Sequence, residues 1–403
     1  MRRPLVSVII ATFNRAALLQ EALASIFGQL GIGIDFDLEV IAVDDASTDP
    51  TPRVVKRFSA LRYIKLDTNV GLPAARNVGL RASTGEYIAF LDDDDLWLPH
   101  KLRVQVPVLE RGPANGVVYS QLIVQEGERE FLWPATDRAP SGWVFRNLLV
   151  DSLAGPGSVL VRRAAFDRAG YFDEALRTSD DYDMWLRLAI HVPFKFLPGA
   201  VAIYRRTVDG KFATAAARGY LGATLHRIVD KALESLPSTP DSARLRRQAH
   251  AYVFLRVASQ QAAVGAIEPI QGNVLAALRD APELVYDHRV QSAIQGHARR
   301  LALSSETPIE LIQAFCEDVR RAIDCRSLKN RLAVTRCIGE IWAEVAFGLA
   351  LASPPRVRDV VSAAARALGH DPSSPARWAW WILTRRRIPH HSGPMLRSQR
   401  QLP

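Results

Sequence analysis

Three apolar runs near the start of this chain stop abruptly at polar or acidic side chains. Residues 5–11 give way to Thr12 and Asn14, residues 38–43 to Asp44-Asp45, and residues 86–91 to Asp92-Asp93-Asp94-Asp95. A continuous β-branched run suits a strand buried on both faces. Between the runs lie stretches with helical spacing over 16–29, 51–58 and 72–82, and a further strand over 61–66. Strands alternating with helices predict an α/β fold with a mostly parallel sheet and helices on both faces. The carboxyl ends of parallel strands share one edge, which is where open α/β sheets bind ligands. A pocket lined with carboxylates is therefore expected at that edge.

The chain's 403 residues are enough for two folded units. With 48% hydrophobic and 23% charged residues, composition excludes global disorder, a collagen-like repeat and a disulfide scaffold. Cys316, Cys325 and Cys337 are odd in number and form no Cys-x-x-Cys pair. They are expected as reduced core thiols, which suits a cytoplasmic setting. No apolar stretch reaches the roughly 18 residues of a membrane span. The basic start at Arg2-Arg3 leads into an apolar run too short for a secretion signal.

The first 210 residues are slightly acidic, so the net charge of +9 comes wholly from the remainder. Residues 100–210 predict strands over 116–120, 158–161, 194–196 and 200–204, with one clear helix over 181–190. Beyond 213 the pattern is helical, punctuated by prolines such as Pro237, Pro240, Pro282 and Pro308, which cannot donate to a helical ladder. Two regions are expected, 1–210 and a basic, mainly helical 211–403.

Four segments carry candidate chemistry. Four adjacent carboxylates at 92–95 repel one another, and a hard divalent cation would relieve them. Along an extended chain Asp92 and Asp94 would face one way and Asp93 and Asp95 the other; a solvated acidic loop or a helix cap is the competing reading. Asp45 could accept a hydrogen bond from a base or ribose, while Ser47 and Asp49 suit helix capping. Arg76, near the start of a helix, could grip phosphate with two nitrogens or pair with the nearby aspartates. In Ser179-Asp180-Asp181-Tyr182-Asp183 an acid at a helix start could act as general base toward a hydroxyl. Capping by Ser179 or Asp180 and pairing of Asp183 with Arg187 are the alternatives.

Taken in order, the segments 6–15, 43–49, 71–79, 87–95, 170–174 and 180–188 resemble family 2 glycosyltransferases, over residues 5 to about 206. The resemblance implies a GT-A fold and an inverting transferase that uses a nucleotide-diphosphate sugar, with a UDP-sugar favoured, and Mn²⁺ or Mg²⁺. By position it puts Thr12, Asn14, Arg15 and Asp45 around base and ribose, Arg76 near base or phosphate, Asp92 and Asp93 on the donor, and Asp94 on the metal. Asp181 matches the second acid of the family's Glu-Asp pair, the usual base, and Asp180 replaces the Glu. The nucleotide half would span about 1–100 and the acceptor side about 101–210. The acceptor would be a glycan or lipid-linked molecule in cell-surface polysaccharide assembly.

A sugar-phosphate nucleotidyltransferase would be expected to show a Gly-rich loop after the first strand, where 11–16 has no glycine. A non-catalytic nucleotide-sugar binder would be expected to lack an acid at 94 or 181, and both are present. In the basic half, Trp378, Trp380 and Trp381 stand beside Arg385-Arg386-Arg387. That combination serves either as a peripheral anchor on anionic lipid or as a packed helix with a basic end. No aromatic-basic motif supports nucleic-acid binding.

Overall fold

The computed structural model describes residues 2–112, 114–206, 210–234, 236–263, 268–287, 308–323 and 334–342, with scattered positions in 294–298 and 345–367. Two compact units divide it, Met1–Gln260 and Gln261–Pro403.

The first unit is built on a nine-stranded sheet. Strands β1 (Leu5–Thr12), β2 (Asp37–Asp44), β3 (Leu61–Lys65) and β4 (Tyr87–Asp92) alternate with helices α1 (Ala16–Phe27), α2 (Thr51–Val55) and α3 (Leu72–Ala82). These four strands pair in parallel in the order β3-β2-β1-β4. The register sets Thr12 beside Asp44 and Ala11 beside Asp92, so the polar strand ends share one edge as expected.

Beyond β4 the sheet becomes mixed. Its remaining strands are β5 (Leu96–Trp97), β6 (Val117–Glu126), β7 (Arg129–Trp133), β8 (Val159–Arg162) and β9 (Phe194–Arg206). β8 runs antiparallel to both β4 and β6, while β9 runs parallel to β6. The two short strands expected at 194–196 and 200–204 are one strand. Pro198-Gly199 interrupts the alternation, and the β6–β9 register shifts there, with Gly199 at φ +105°, a value glycine adopts without strain.

Side chains alternate across β1 as a doubly covered strand requires. Val6, Val8 and Ile10 pack with Leu19 and Leu23 of α1. Ile9 packs with Leu80 of α3 and with Trp185, Leu186 and Leu188 of α7 (Asp180–His191). α3 lies close on β1 because residue 79 is glycine: a Cβ there would stand 2.4 Å from Ile9 Cγ2.

The 100–210 segment holds more helix than its sequence pattern predicts. It contains α4 (Lys101–Arg111), α5 (Phe145–Val150) and α6 (Phe166–Ala169) besides α7. α4 hides from periodicity because Pro107 lies inside it and Lys101 and Gln105 are buried on its inner face. That polar face is satisfied: Lys101 Nζ donates to Gln105 Oε1 and Val159 O at 2.6 and 3.1 Å, and Gln105 Nε2 donates to Ser158 O at 2.8 Å.

The two compact units divide at Gln260/Gln261. Helices α8 (Lys211–Ala217), α9 (Leu221–Glu234) and α10 (Pro240–Ala263) follow β9. Leu225, Ile228 and Val229 of α9 and Ala249 and Val253 of α10 join the same core as Trp185.

In the second unit, α11 (Glu268–Asp280) and α12 (Pro308–Ala322) bury Val274, Leu278, Ile312, Phe315 and Val319. Cys316 and Cys337 are free thiols in this interior, as expected, and burial pushes both up to about 12. Cys325 and the tryptophan-arginine segment at 378–387 lie outside the described residues.

Candidate active site

The β1–α1 and β2–α2 loops are stitched together before any ligand is considered. Asn14, at φ +53°, accepts at Oδ1 from the Thr48 amide at 2.8 Å, and its own amide donates to Ser47 Oγ at 2.9 Å. Asp49 accepts from the amides of Ala16 and Thr51, so it ties the starts of α1 and α2 together, although the N-caps of these helices are Arg15 and Pro50. Asp45 is buried and accepts from the Val70 and Gly71 amides at 2.7 and 2.9 Å. It thereby fixes the turn that starts α3, where Gly71 sits at φ +90°.

The 92–95 segment is a turn, not an extended continuation of β4. The Asp95 amide donates to Asp92 O at 3.1 Å, so simple alternation of the four side chains does not hold. Asp93 accepts from Thr12 Oγ1 at 2.7 Å and from Arg15 Nη1 at 3.0 Å. The same Arg15 nitrogen reaches Asp94 at 2.7 Å. Asp95 is buried and accepts from the Arg205 amide at 2.9 Å, and the Arg205 side chain donates to Asp94 O.

These acids crowd one another. Burial raises the Asp93 carboxyl to about 6, against the pull of Arg15 and Thr12. Asp94 is pushed up by burial and then by Asp92. Asp95 is pushed well up by burial, Asp92 and Asp94. Such oxygen-rich, mutually repelling groups are the donor set that a hard divalent ion favours. Among the described residues, no three or more His, Cys, Asp or Glu side chains form a complete metal site. Asp94 is ion-paired with Arg15 and Asp92 with Arg76, so any ion at this turn would need further oxygens besides theirs.

Arg76 joins the acid turn to the second acidic motif. It is 4% exposed, and its two terminal nitrogens go to Asp92 and Asp180. Its guanidinium also lies 5.5 Å from the centre of the Phe172 ring. Burial works against its charge, but Asp180, Asp92 and Asp181 outweigh that and hold the cation firmly. Of the two readings of Arg76, the pairing with aspartates is present, one carboxylate on each terminal nitrogen.

Asp180 opens α7 with its carboxylate against Arg76. Asp181 follows it, half-buried; its carboxylate takes a hydrogen bond from the Tyr182 backbone and, among the described residues, enters no ion pair. Burial, then Asp180, raise its carboxyl to about 6; Arg76 pulls it down and Asp92 pushes it up. Asp183 turns away, into the pair with Arg187 at 2.7 Å. Ser179 does not cap through its side chain: it sits at φ +61° with its hydroxyl buried and unpartnered. Trp185, fully buried, anchors the helix in the core; an alanine there would cost about 3–5 kcal/mol.

Several contributors were missed in the sequence reading. Asn77 exchanges hydrogen bonds with the Phe172 backbone at 2.8 and 2.9 Å and so holds the 170–174 segment. Arg205 and Tyr204 come from β9; Tyr204 is raised to about 12 by burial and then by Asp95, Asp92 and Asp181, which places it beside the acids. Asn77 lies two residues before Gly79, and nothing in its spacing signals its partner.

Residues 7–169 match Glycosyl transferase family 2. An uncharacterised protein of Mycobacterium tuberculosis is 30% identical over 243 residues, covering 56% of this chain and 68% of that protein. An uncharacterised glycosyltransferase of Haemophilus influenzae is 32% identical over 190 residues, covering 46% and 62%. Among solved structures, S. aureus TarS 1-349 in complex with UDP-GlcNAc superposes with a TM-score of 0.53 at 18% identity, over 79% of this chain and 90% of that one. The mannosyltransferase PcManGT of Pyrobaculum calidifontis, in complex with GDP-Man and Mn²⁺, gives 0.51 at 22% identity over 87% and 88%. The fold is thus of the GT-A kind, and the chain belongs to glycosyl transferase family 2.

Proposed function

We propose that this protein transfers a sugar from a nucleoside-diphosphate sugar to an acceptor hydroxyl, in one displacement that inverts the anomeric carbon. The observation that carries the reading is the Arg76 bridge: it draws Asp92, from the acid turn, and Asp180, from α7, to one guanidinium, with Asp181 within electrostatic reach of all three. Family membership and the nucleotide-sugar complexes of the similar folds support it.

Asp181 would take the proton from the attacking hydroxyl. A carboxyl raised to about 6 is a competent base at neutral pH, since it is ionised there yet more basic than a solvated aspartate. Asp180, engaged by Arg76, would orient the helix start instead of accepting the proton. Thr12, Asn14, Arg15 and Asp45 would surround base and ribose, with Asp93 on the ribose. Each carboxylate oxygen has two lone pairs, so the contacts to Asp45 and Asp93 leave acceptor sites for a donor. Asp94, with Asp92 beside it, would hold Mn²⁺ or Mg²⁺ together with oxygens of the diphosphate. When bound, such an ion offsets the charge that builds on the departing diphosphate.

A UDP-sugar is the favoured donor, and a glycan or lipid-linked acceptor of cell-surface polysaccharide assembly the favoured second substrate. No described helix is long and apolar enough to cross a membrane; contact with a membrane surface through the segment around Trp380 remains part of the proposal. Release of nucleoside diphosphate from a panel of nucleotide sugars with Mn²⁺ tests the reading. Release from at least one donor, dependent on Asp181, is expected. Binding of donors without any release would overturn transfer in favour of a binding protein.

A further inference from the structure

Lys231, on α9, lies outside the region that matches the family. Its Nζ stands 2.8 Å from Asp173 Oδ2 and 3.0 Å from Asp183 Oδ1. Asp183 is 2% exposed and belongs to the first turn of α7, the turn that presents Asp181. It also receives Arg187 Nε and Nη2 at 2.9 and 2.7 Å, and Arg187 in turn donates to Ala169 O. Asp173 follows Phe172, whose backbone is held by Asn77 and whose ring faces the Arg76 guanidinium.

One ammonium therefore fastens both supports of the site: the helix turn bearing Asp181, and the segment on which Arg76 rests. The bond to Lys231 also helps hold the Asp173 carboxyl below the ordinary range, against burial. Neither carboxylate is placed on substrate, so the pairing has no direct chemical role. Its geometry serves placement. A buried Asp183 shared between two cations resists rotation of the α7 start better than the Arg187 pair alone, because the second cation approaches from a different helix.

We infer that Lys231 is a positioning residue for transfer, setting Asp181 and Arg76 in register from a helix beyond the matched region. This rests on the transfer reading above. A small misplacement of a reacting group lowers turnover without weakening substrate binding elsewhere in the site.

The test measures nucleoside-diphosphate release from a nucleotide sugar with Mn²⁺, using the full chain. Lys231→Met is expected to lower kcat about tenfold to a hundredfold, with donor KM within about twofold, and Lys231→Arg to recover most of the loss. Asp173→Asn, which leaves Lys231 on Asp183, is expected to lower kcat in the same direction, and the double variant Lys231→Met/Asp173→Asn to lose less than the product of the two. The Asp173→Asn arm decides the matter should Lys231→Met fail to fold. Wild-type kcat in Lys231→Met, or in Asp173→Asn, would overturn the assignment while leaving transfer intact. A rise in donor KM at constant kcat would overturn it as well. A wild-type protein inert toward every nucleotide sugar would overturn both readings.

Discussion

The guanidinium of Arg76, on the helix behind the strand ends, is ion-paired in the interior with Asp180, the residue immediately before the proposed base. The pair joins two motifs far apart in the chain, and the second nitrogen carries the link on to Asp92. Two acids near Asp181 are thus held by one cation, while Asp181 itself is outside the ion pair.

Removing that cation should be costly in two ways. Arg76→Met leaves Asp180 buried without its partner, and breaking a buried pair from one side costs about 3–5 kcal/mol. The variant should show a correspondingly lower urea midpoint. It should also move the acid limb of the kcat profile to higher pH, because Arg76 is the charge that pulls the Asp181 carboxyl down.

In the wild type, that limb should lie near pH 6. The Asp181 carboxyl is held at about 6, so it gains a proton, and ceases to serve as base, as the pH falls through that value. Turnover should be level above it and drop about tenfold per unit well below it. The same shift has a stability sign. The folded carboxyl binds its proton more tightly than the unfolded one at 3.8; its contribution is fully present below about 4 and is lost as the pH rises through about 6. Asp181→Asn should flatten this part of the curve of stability against pH.

Asp94 should govern the response to divalent ions. With a nucleoside diphosphate present, Mn²⁺ should raise the melting temperature of the wild type, since a ligand of the folded state alone stabilises it. Asp94→Asn should lose most of that increment while melting close to the wild type without ion. An undiminished response would remove Asp94 as a ligand.

A purely geometric prediction concerns the contact of α3 with β1. Gly79→Ala puts a methyl group 2.4 Å from Ile9 Cγ2, and Ile9 is buried. Overpacking of this kind costs about 1–3 kcal/mol. Because α3 also carries Arg76 and Asn77, the variant should lower kcat along with the melting temperature.

Much of this could be seen in the residues because one strong rule was at work. The apolar runs in β1, β2 and β4 stop at polar residues at the strands' carboxyl ends, and parallel pairing lines those ends up whatever else the chain does. The helix bearing Asp181 was equally plain, from Trp185, Leu186 and Leu188 at helical spacing. Non-local features were hidden. α4 carries a buried lysine, a buried glutamine and an internal proline, so its pattern contradicts its position until Val159, Ser158 and Ser120 are seen as partners. The turn at 92–95 depends on Arg15 and Arg205, which reach it from α1's approach and from β9. Lys231 gave no sign at all, since an exposed-looking lysine on an amphipathic helix has no local reason to meet Asp173 and Asp183.

Nucleoside-diphosphate release by wild-type and Asp181→Asn protein, measured beside the donor-induced rise in melting temperature, addresses the assignment of the base. Both proteins should show the thermal rise, and the variant should release diphosphate at least about a hundredfold more slowly. Release by Asp181→Asn at the wild-type rate would contradict it.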